Sequence, residues 1–171
     1  MEILDGLQFD YSQDLLGRKS LVIHAMGEYI NSGEDGVYPA AQFLEEVGLS
    51  VHFTVLPGGQ VLQHLPISKR GAHARGYNVN TVGVELLVRG VQDYDSLRKL
   101  MAYEGTTFEL YGRAQYQGLI TIMQHLVDNY WFDDGLQYTY HEDLSPDRKH
   151  DPGRAFDRSH LDEQVWKRFH V

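Results

Sequence analysis

The stretch TVGVELLV, residues 81–88, constrains the fold more than any other part of the chain. Every position is apolar, β-branched or glycine except Glu85, and a short run of this kind between turn residues reads as a buried strand. Glu85 then has two readings. On a covered face, burial would raise its pKa and suit it to general-base work near neutrality. On an edge strand it would simply face solvent. Periodicity alone does not separate the two.

The rest of the chain alternates around this strand. SLVIH (20–24) reads as a second short buried strand ending at a histidine. After the glycine-rich loop NSGEDG (31–36), YPAAQFLEEVG is helical in pattern, with Pro39 near its start and Gly48 as a stop signal. SVHFTV, the turn PGG and QVLQHL predict a hairpin. Residues 89–112 are mixed and polar and read as an insertion with a short helix around SLRKLMA. RAQYQGLITIMQHLVDNY (113–130) spaces its apolar residues as a long amphipathic helix does. LQYTYH (136–141) predicts another strand ending at a histidine, and HLDEQVWKRFH (160–170) a closing helix. Strands alternating with helices predict an α/β fold, a single domain across residues 1–171 with one central mixed β-sheet flanked by helices.

Composition removes several function classes. With 171 residues, one domain is expected. The balance of 24 acidic to 15 basic residues gives a net charge of −9. Phosphate contact needs clustered Lys and Arg, so no nucleic-acid partner is expected. Electrostatic attachment to anionic membranes is disfavoured for the same reason. No cysteine is present, which excludes disulfides, thiolate zinc sites and a cysteine nucleophile. The first twenty residues carry acids from position 2 and no apolar core, and no run is long enough to span a bilayer. The expectation is cytoplasmic synthesis without a signal peptide or membrane insertion, with any release through lysis or a dedicated export route.

Chemistry concentrates in HEDLSPDRKHDPG, residues 141–153. His24 and His141 each close a predicted strand, where an imidazole can point into a cleft. Two neutral imidazoles and one carboxylate make a three-ligand zinc site with a fourth position left for water. Glu142, Asp143, Asp147 and Asp151 are all candidates for that carboxylate. Pro152 and Gly153 fix a turn directly after Asp151, which favours it, although spacing alone does not select among the four. Solvated loop acids are the competing account.

The residues carry a family resemblance beyond this. HFTVLPGGQVLQHLPISKRGAHARGYNVNTVGVEL resembles the middle of the zinc-dependent N-acetylmuramoyl-L-alanine amidases, a family that includes phage lysozyme-type amidases and peptidoglycan recognition proteins. Its parts are an HF strand, a glycine turn, the GAHA element and the N-x-T-V-G-V-E strand. VIH at 22–24 is similar to the opening ligand strand, and HEDLSPDRKHDPGRAFD to the closing motif. The elements keep the family's order over roughly residues 20–160.

The resemblance implies a zinc cleft at one edge of the sheet. His24, His141 and Asp151 would be its ligands, Glu85 the general base and Lys149 the electrophilic partner of the oxyanion. Val51 stands where some relatives carry a tyrosine, a departure in keeping with the subgroup that uses glutamate. His73, Arg75, Asn80 and Arg148 are candidates for holding the substrate, since arginine binds carboxylates in bidentate fashion. His52 and His64 fit structural, hydrogen-bonded roles better, and His150 should face away from the site. The implied reaction is hydrolysis of the amide between N-acetylmuramic acid and L-alanine in peptidoglycan or muropeptides. A non-catalytic muropeptide-binding module of the same fold is the alternative.

Overall fold

The computed structural model describes residues 2–11, 13–27, 37–91, 93–103 and 110–170. The loop expected at 31–36 and part of the insertion, residues 104–109, lie outside them. Six strands form one mixed sheet in the order β1-β4-β3-β5-β2-β6. The two long strands, β2 (Ser20–Gly27) and β5 (Thr81–Val88), lie side by side and parallel. All eight residues of β5 are buried, so it is a central strand, and the edge-strand reading of Glu85 does not hold.

The flanking strands are shorter. β3 (Phe53–Val55) runs parallel to β5 and antiparallel to β4 (Val61–Gln63), the expected hairpin around the PGG turn. Gly59 in that turn has φ of +87° and packs against the Ala114 carbonyl, where a Cβ would come within 2.5 Å. Only glycine fits both constraints. β6 (Tyr138–Tyr140) forms one edge beside β2. β1 (Ile3–Asp5), which the sequence did not announce, forms the other beside β4. Three residues, the last of them Asp5, carry no strand pattern of their own, so pairing with β4 makes β1 a strand.

Alternation along β2 and β5 sorts the interior into two cores. Leu21, Ile23 and Ala25, with Val82, Val84, Leu86 and Val88, enter the larger core. There they meet Tyr116, Leu119, Ile122, Met123 and Leu126 of α3 (Arg113–Asp128), and Leu161 and Val165 of α5 (Arg158–Phe169). Gln115 of α3 donates its side-chain amide to the carbonyls of Val55 (3.3 Å) and Leu87 (2.9 Å), tying helix to sheet. On the opposite face, Met26 and Leu87 meet Ala40, Ala41 and Leu44 of α1 (Val37–Glu46) in a smaller core. His24 and Glu85 share this second face.

The insertion holds α2 (Tyr94–Met101), capped by Asp93, whose carboxylate accepts from the Ser96 amide. Leu97 and Met101 are its buried residues. Several boundaries differ from expectation. The strand predicted to end at His24 continues to Gly27, so His24 lies inside β2 rather than closing it. The strand predicted to end at His141 stops at Tyr140, and His141 opens a single helical turn, α4 (His141–Leu144). The closing helix starts at Arg158 because Asp157 caps it, accepting from the His160 amide at 2.9 Å.

Candidate metal centre

The site forms where β2, β5 and the chain after β6 meet. His24 on β2 and Glu85 on β5 are register partners, so their side chains rise from the same face of neighbouring strands. His141 follows β6 directly. The turn at Asp151 folds back onto α4, with the Glu142 amide donating to the Asp151 carbonyl at 3.0 Å. It is also fixed from the side. Tyr111 donates its hydroxyl to the Pro152 carbonyl at 2.7 Å, and the Ala155 amide donates to the Met101 carbonyl at 3.0 Å. Gly153 lies so close to α2 that a Cβ would come within 2.5 Å of that same carbonyl oxygen.

Three donor atoms converge here. His24 Nδ1 lies 2.8 Å from His141 Nδ1 and 3.3 Å from Asp151 Oδ2, and His141 Nδ1 lies 3.0 Å from the same oxygen. All three residues are buried. Burial lowers the His24 pKa to about 4, against hydrogen bonding to Asp151, so the imidazole is neutral near pH 7. Burial pushes the Asp151 carboxyl up, but the hydrogen bond from His141 and the close approach of His24 outweigh it and hold the carboxyl well below the usual range. Lone-pair donors at such separations repel one another unless a proton or a cation lies among them. Ligands about 2.1 Å from a tetrahedral zinc ion are themselves roughly 3.4 Å apart, so a few tenths of an ångström of opening would admit one. The donor set, two imidazole nitrogens and one carboxylate oxygen, fits a divalent metal.

Glu85 and Lys149 line the same cleft as the three donors. Glu85 is 8 % exposed, and its Oε2 has no hydrogen-bond partner among the described residues. Burial, and then the negative charge of Asp151, raise its pKa well above the ordinary value, while Lys149 pulls it back. A carboxyl raised in this way is a stronger base than an ordinary carboxylate and is suited to proton transfer. The cleft measures about 130 Å³, enough for a scissile amide and a few waters at roughly 30 Å³ each. The bulk of any large substrate must lie along the surface outside.

The remaining candidates divide clearly. Half-buried His73 lines the cleft beside His24, its Nδ1 3.0 Å from His24 Nε2. Arg75 is exposed, and Asn80 precedes β5 at the end remote from Glu85, beside Gly17. Exposed Arg148 donates to the Ser145 hydroxyl at 3.2 Å. None of these three lines the cleft. His52 and His64 are buried and hydrogen-bonded on both ring nitrogens, to Lys69 and Gly83 and to Leu7 and Thr54. His150 lines a neighbouring groove rather than the cleft. Of the other acids, Glu142 and Asp143 pair with Arg158 at 2.7 and 2.8 Å.

The cleft also has apolar walls that sequence reasoning missed. Phe43 and Leu44 of α1, Leu49 after it, and Tyr94 and Leu97 of α2 line it. The helical spacing of Tyr94, Leu97 and Met101 was visible, but not what that face would meet.

Comparison with known proteins adds the following. Residues 17–154 match the family described as N-acetylmuramoyl-L-alanine amidase. The 1,6-anhydro-N-acetylmuramyl-L-alanine amidase AmpD of Escherichia coli (strain K12) is 31% identical over 140 residues, covering 78% of this chain and 63% of the relative. Its counterpart from Enterobacter cloacae is 31% identical over 135 residues, covering 78% and 62%. The match thus spans less than two thirds of these relatives. Among solved structures, the N-acetylmuramoyl-L-alanine amidase LysC from Clostridium intestinale URNW superposes with a TM-score of 0.67 at 16% identity, covering 96% of this chain and 97% of that one. Drosophila PGRP-LB gives a TM-score of 0.67 at 16% identity, covering 99% and 95%. Likeness at this identity speaks for the fold.

Proposed function

We propose, from the premise that this chain belongs to the N-acetylmuramoyl-L-alanine amidase family, that it hydrolyses the amide joining N-acetylmuramic acid to L-alanine of the stem peptide. The observation that carries the reading is the convergence of His24, His141 and Asp151 in one cleft with buried Glu85, whose Oε2 has no hydrogen-bond partner among the described residues. A muropeptide-binding module would need neither. Among the described residues no helix is long and apolar enough to cross a membrane. The names of the AmpD relatives, 1,6-anhydro-N-acetylmuramyl-L-alanine amidases, favour 1,6-anhydro muropeptides as the substrates.

His24, His141 and Asp151 would hold zinc. Bound zinc supplies Lewis acidity, polarising the amide carbonyl and lowering the pKa of water at the open position to about 7. The chain's own residues do the rest. Glu85 takes a proton from the attacking water and passes it to the amine as the carbon–nitrogen bond breaks. Lys149 faces the oxygen that gains charge, a contribution of roughly 3 kcal/mol for one such donor. Buried Leu44 and Leu97 keep one side of the cleft apolar.

The test is incubation of the pure, zinc-loaded protein with 1,6-anhydro muropeptides and with intact sacculi, followed by mass identification of products. Release of free stem peptide beginning at L-alanine, lost on chelation and restored by Zn²⁺, is expected. Tight binding of muropeptide without release would overturn the hydrolytic reading in favour of a binding module.

A further inference from the structure

The hydrogen bonds behind His24 form a chain whose polarity can be worked out atom by atom. It begins at Thr81. The Thr81 hydroxyl donates to the Tyr77 carbonyl at 2.7 Å, so toward His73 it can only accept. The Thr81 carbonyl can only accept as well. His73 Nε2 faces both, at 3.3 Å from the carbonyl and 3.5 Å from the hydroxyl oxygen. Nε2 therefore carries the proton, and in a neutral ring Nδ1 is bare. His73 Nδ1 is 3.0 Å from His24 Nε2 and must accept its proton. His24 Nδ1 is then left bare, aimed at His141 and Asp151.

The seat of His73 is built for this. Asn78 Oδ1 accepts from the amides of His73 (3.1 Å) and Ala74 (2.7 Å), fixing the backbone of the GAHA turn. Gly83 of β5 lies directly against the ring, where a Cβ would come within 2.6 Å of His73 Cγ. A Cβ at Gly71 would come within 3.1 Å of His73 Cδ2. The rings of His24 and His73 meet edge to face at 88°.

We propose that His73 is a positioning residue that locks His24 in the tautomer protonated at Nε2, so that Nδ1 is presented bare to the metal. The inference rests on the metal-centre reading of His24, His141 and Asp151 and is independent of the substrate. It assigns the GAHA histidine to the metal ligand rather than to substrate contact. A hydrogen-bond partner behind a ligating imidazole raises its basicity and fixes its ring, and losing one typically weakens metal binding by roughly 10- to 100-fold.

Two readouts test it. Long-range ¹H–¹⁵N spectra of the metal-free protein report which nitrogen of His24 is protonated, with His24→Ala supplying the assignment. Nε2–H is expected in the parent, and a mixture of tautomers in His73→Leu. Zinc affinity by competition with a chelating dye gives the second readout. His73→Leu should bind roughly 10- to 100-fold more weakly. His73→Asn, whose amide oxygen can stand in for Nδ1, should stay within a few-fold of the parent. Gly83→Ala reaches the same interaction without touching His73 and should weaken zinc as His73→Leu does. Nδ1–H in the parent, parent-like affinity in His73→Leu, or equal weakness in His73→Asn and His73→Leu would each overturn the proposal. Absence of zinc binding in the parent would instead sink the metal-centre reading, and the tautomer spectra would still decide this one.

Discussion

His24 and Glu85 are direct register partners on adjacent parallel strands. One is a candidate metal ligand, the other a candidate base, and a single sheet ladder sets their spacing. Neighbouring strands are about 4.8 Å apart, and partners on one face point the same way. The sheet therefore fixes the spacing of His24 and Glu85, and His141 and Asp151, from the chain after β6, complete the donor set. Thr54 extends the row as the β3 partner of Glu85.

Glu85→Gln removes the proton acceptor while preserving shape. Zinc content and melting temperature should stay near parental, and turnover should fall by roughly 10²- to 10⁴-fold. Because the base must be ionised, the parental rate should fall as pH drops through the Glu85 pKa, which burial places above the ordinary carboxylate range. A parental rate in the variant would return Glu85 to the scaffold.

Lys149 and Asp151 line the cleft, whereas His150 lines the groove beside it. Three alanine variants separate the roles. Asp151→Ala should lose zinc, Lys149→Ala should keep zinc and slow turnover by about 10²-fold or more, and His150→Ala should change neither. Zinc content and rate measured side by side check this. A strong loss in His150→Ala with none in Asp151→Ala would reverse the assignment.

Tyr94 reaches the cleft from the inserted helix α2, and burial followed by the nearby Asp151 charge raises its phenol pKa. Its ring remains 46% exposed, available to cover one side of a bound muropeptide. Tyr94→Ala should raise KM by roughly fivefold, equivalent to about 1 kcal/mol of lost apolar contact, with kcat little changed. Tyr94→Phe should behave as the parent. A selective fall in kcat would point to the hydroxyl instead.

His52 is neutral and fully engaged, with Nε2 donating to the Lys69 carbonyl at 2.7 Å and Nδ1 accepting from the Gly83 amide at 3.1 Å. Burial lowers its pKa from the ordinary 6.5 to about 4, against the Lys69 hydrogen bond. Below pH 6.5 the unfolded chain takes up this proton before the folded one does. Stability should thus be full above that pH and decline as pH falls toward 4, by up to about 3 kcal/mol from this group. His64 is shifted in the same direction, again by burial. Melting curves from pH 7.5 to 4.5 should show a shallower decline in His52→Asn than in the parent. An equal slope would place the acid sensitivity elsewhere.

The sequence by itself determined the elements whose patterns are long or chemically marked. TVGVELLV, SLVIH and the 113–130 helix are legible because burial imposes periods of 2.0 and 3.6 on side-chain choice. The ordered motifs from VIH to HEDLSPDRKHDPG pointed to one family because each keeps its place in the order. Tertiary structure decided what depends on contacts distant in the chain. Asp151 joins His24 and His141 while Glu142 and Asp143 turn to Arg158, a choice that four acids in one loop could not reveal. Glu85 became a buried carboxyl only once β2 and β3 flanked its strand and residues of α1 and α2, among them Leu44 and Leu97, closed around its face. Strand β1 exists only because β4 offers its edge, and Tyr94 enters the cleft because α2 packs beside the Asp151 turn. Local pattern records how a residue must face. Which partner it meets is fixed by the fold, because those partners lie tens of residues away along the chain.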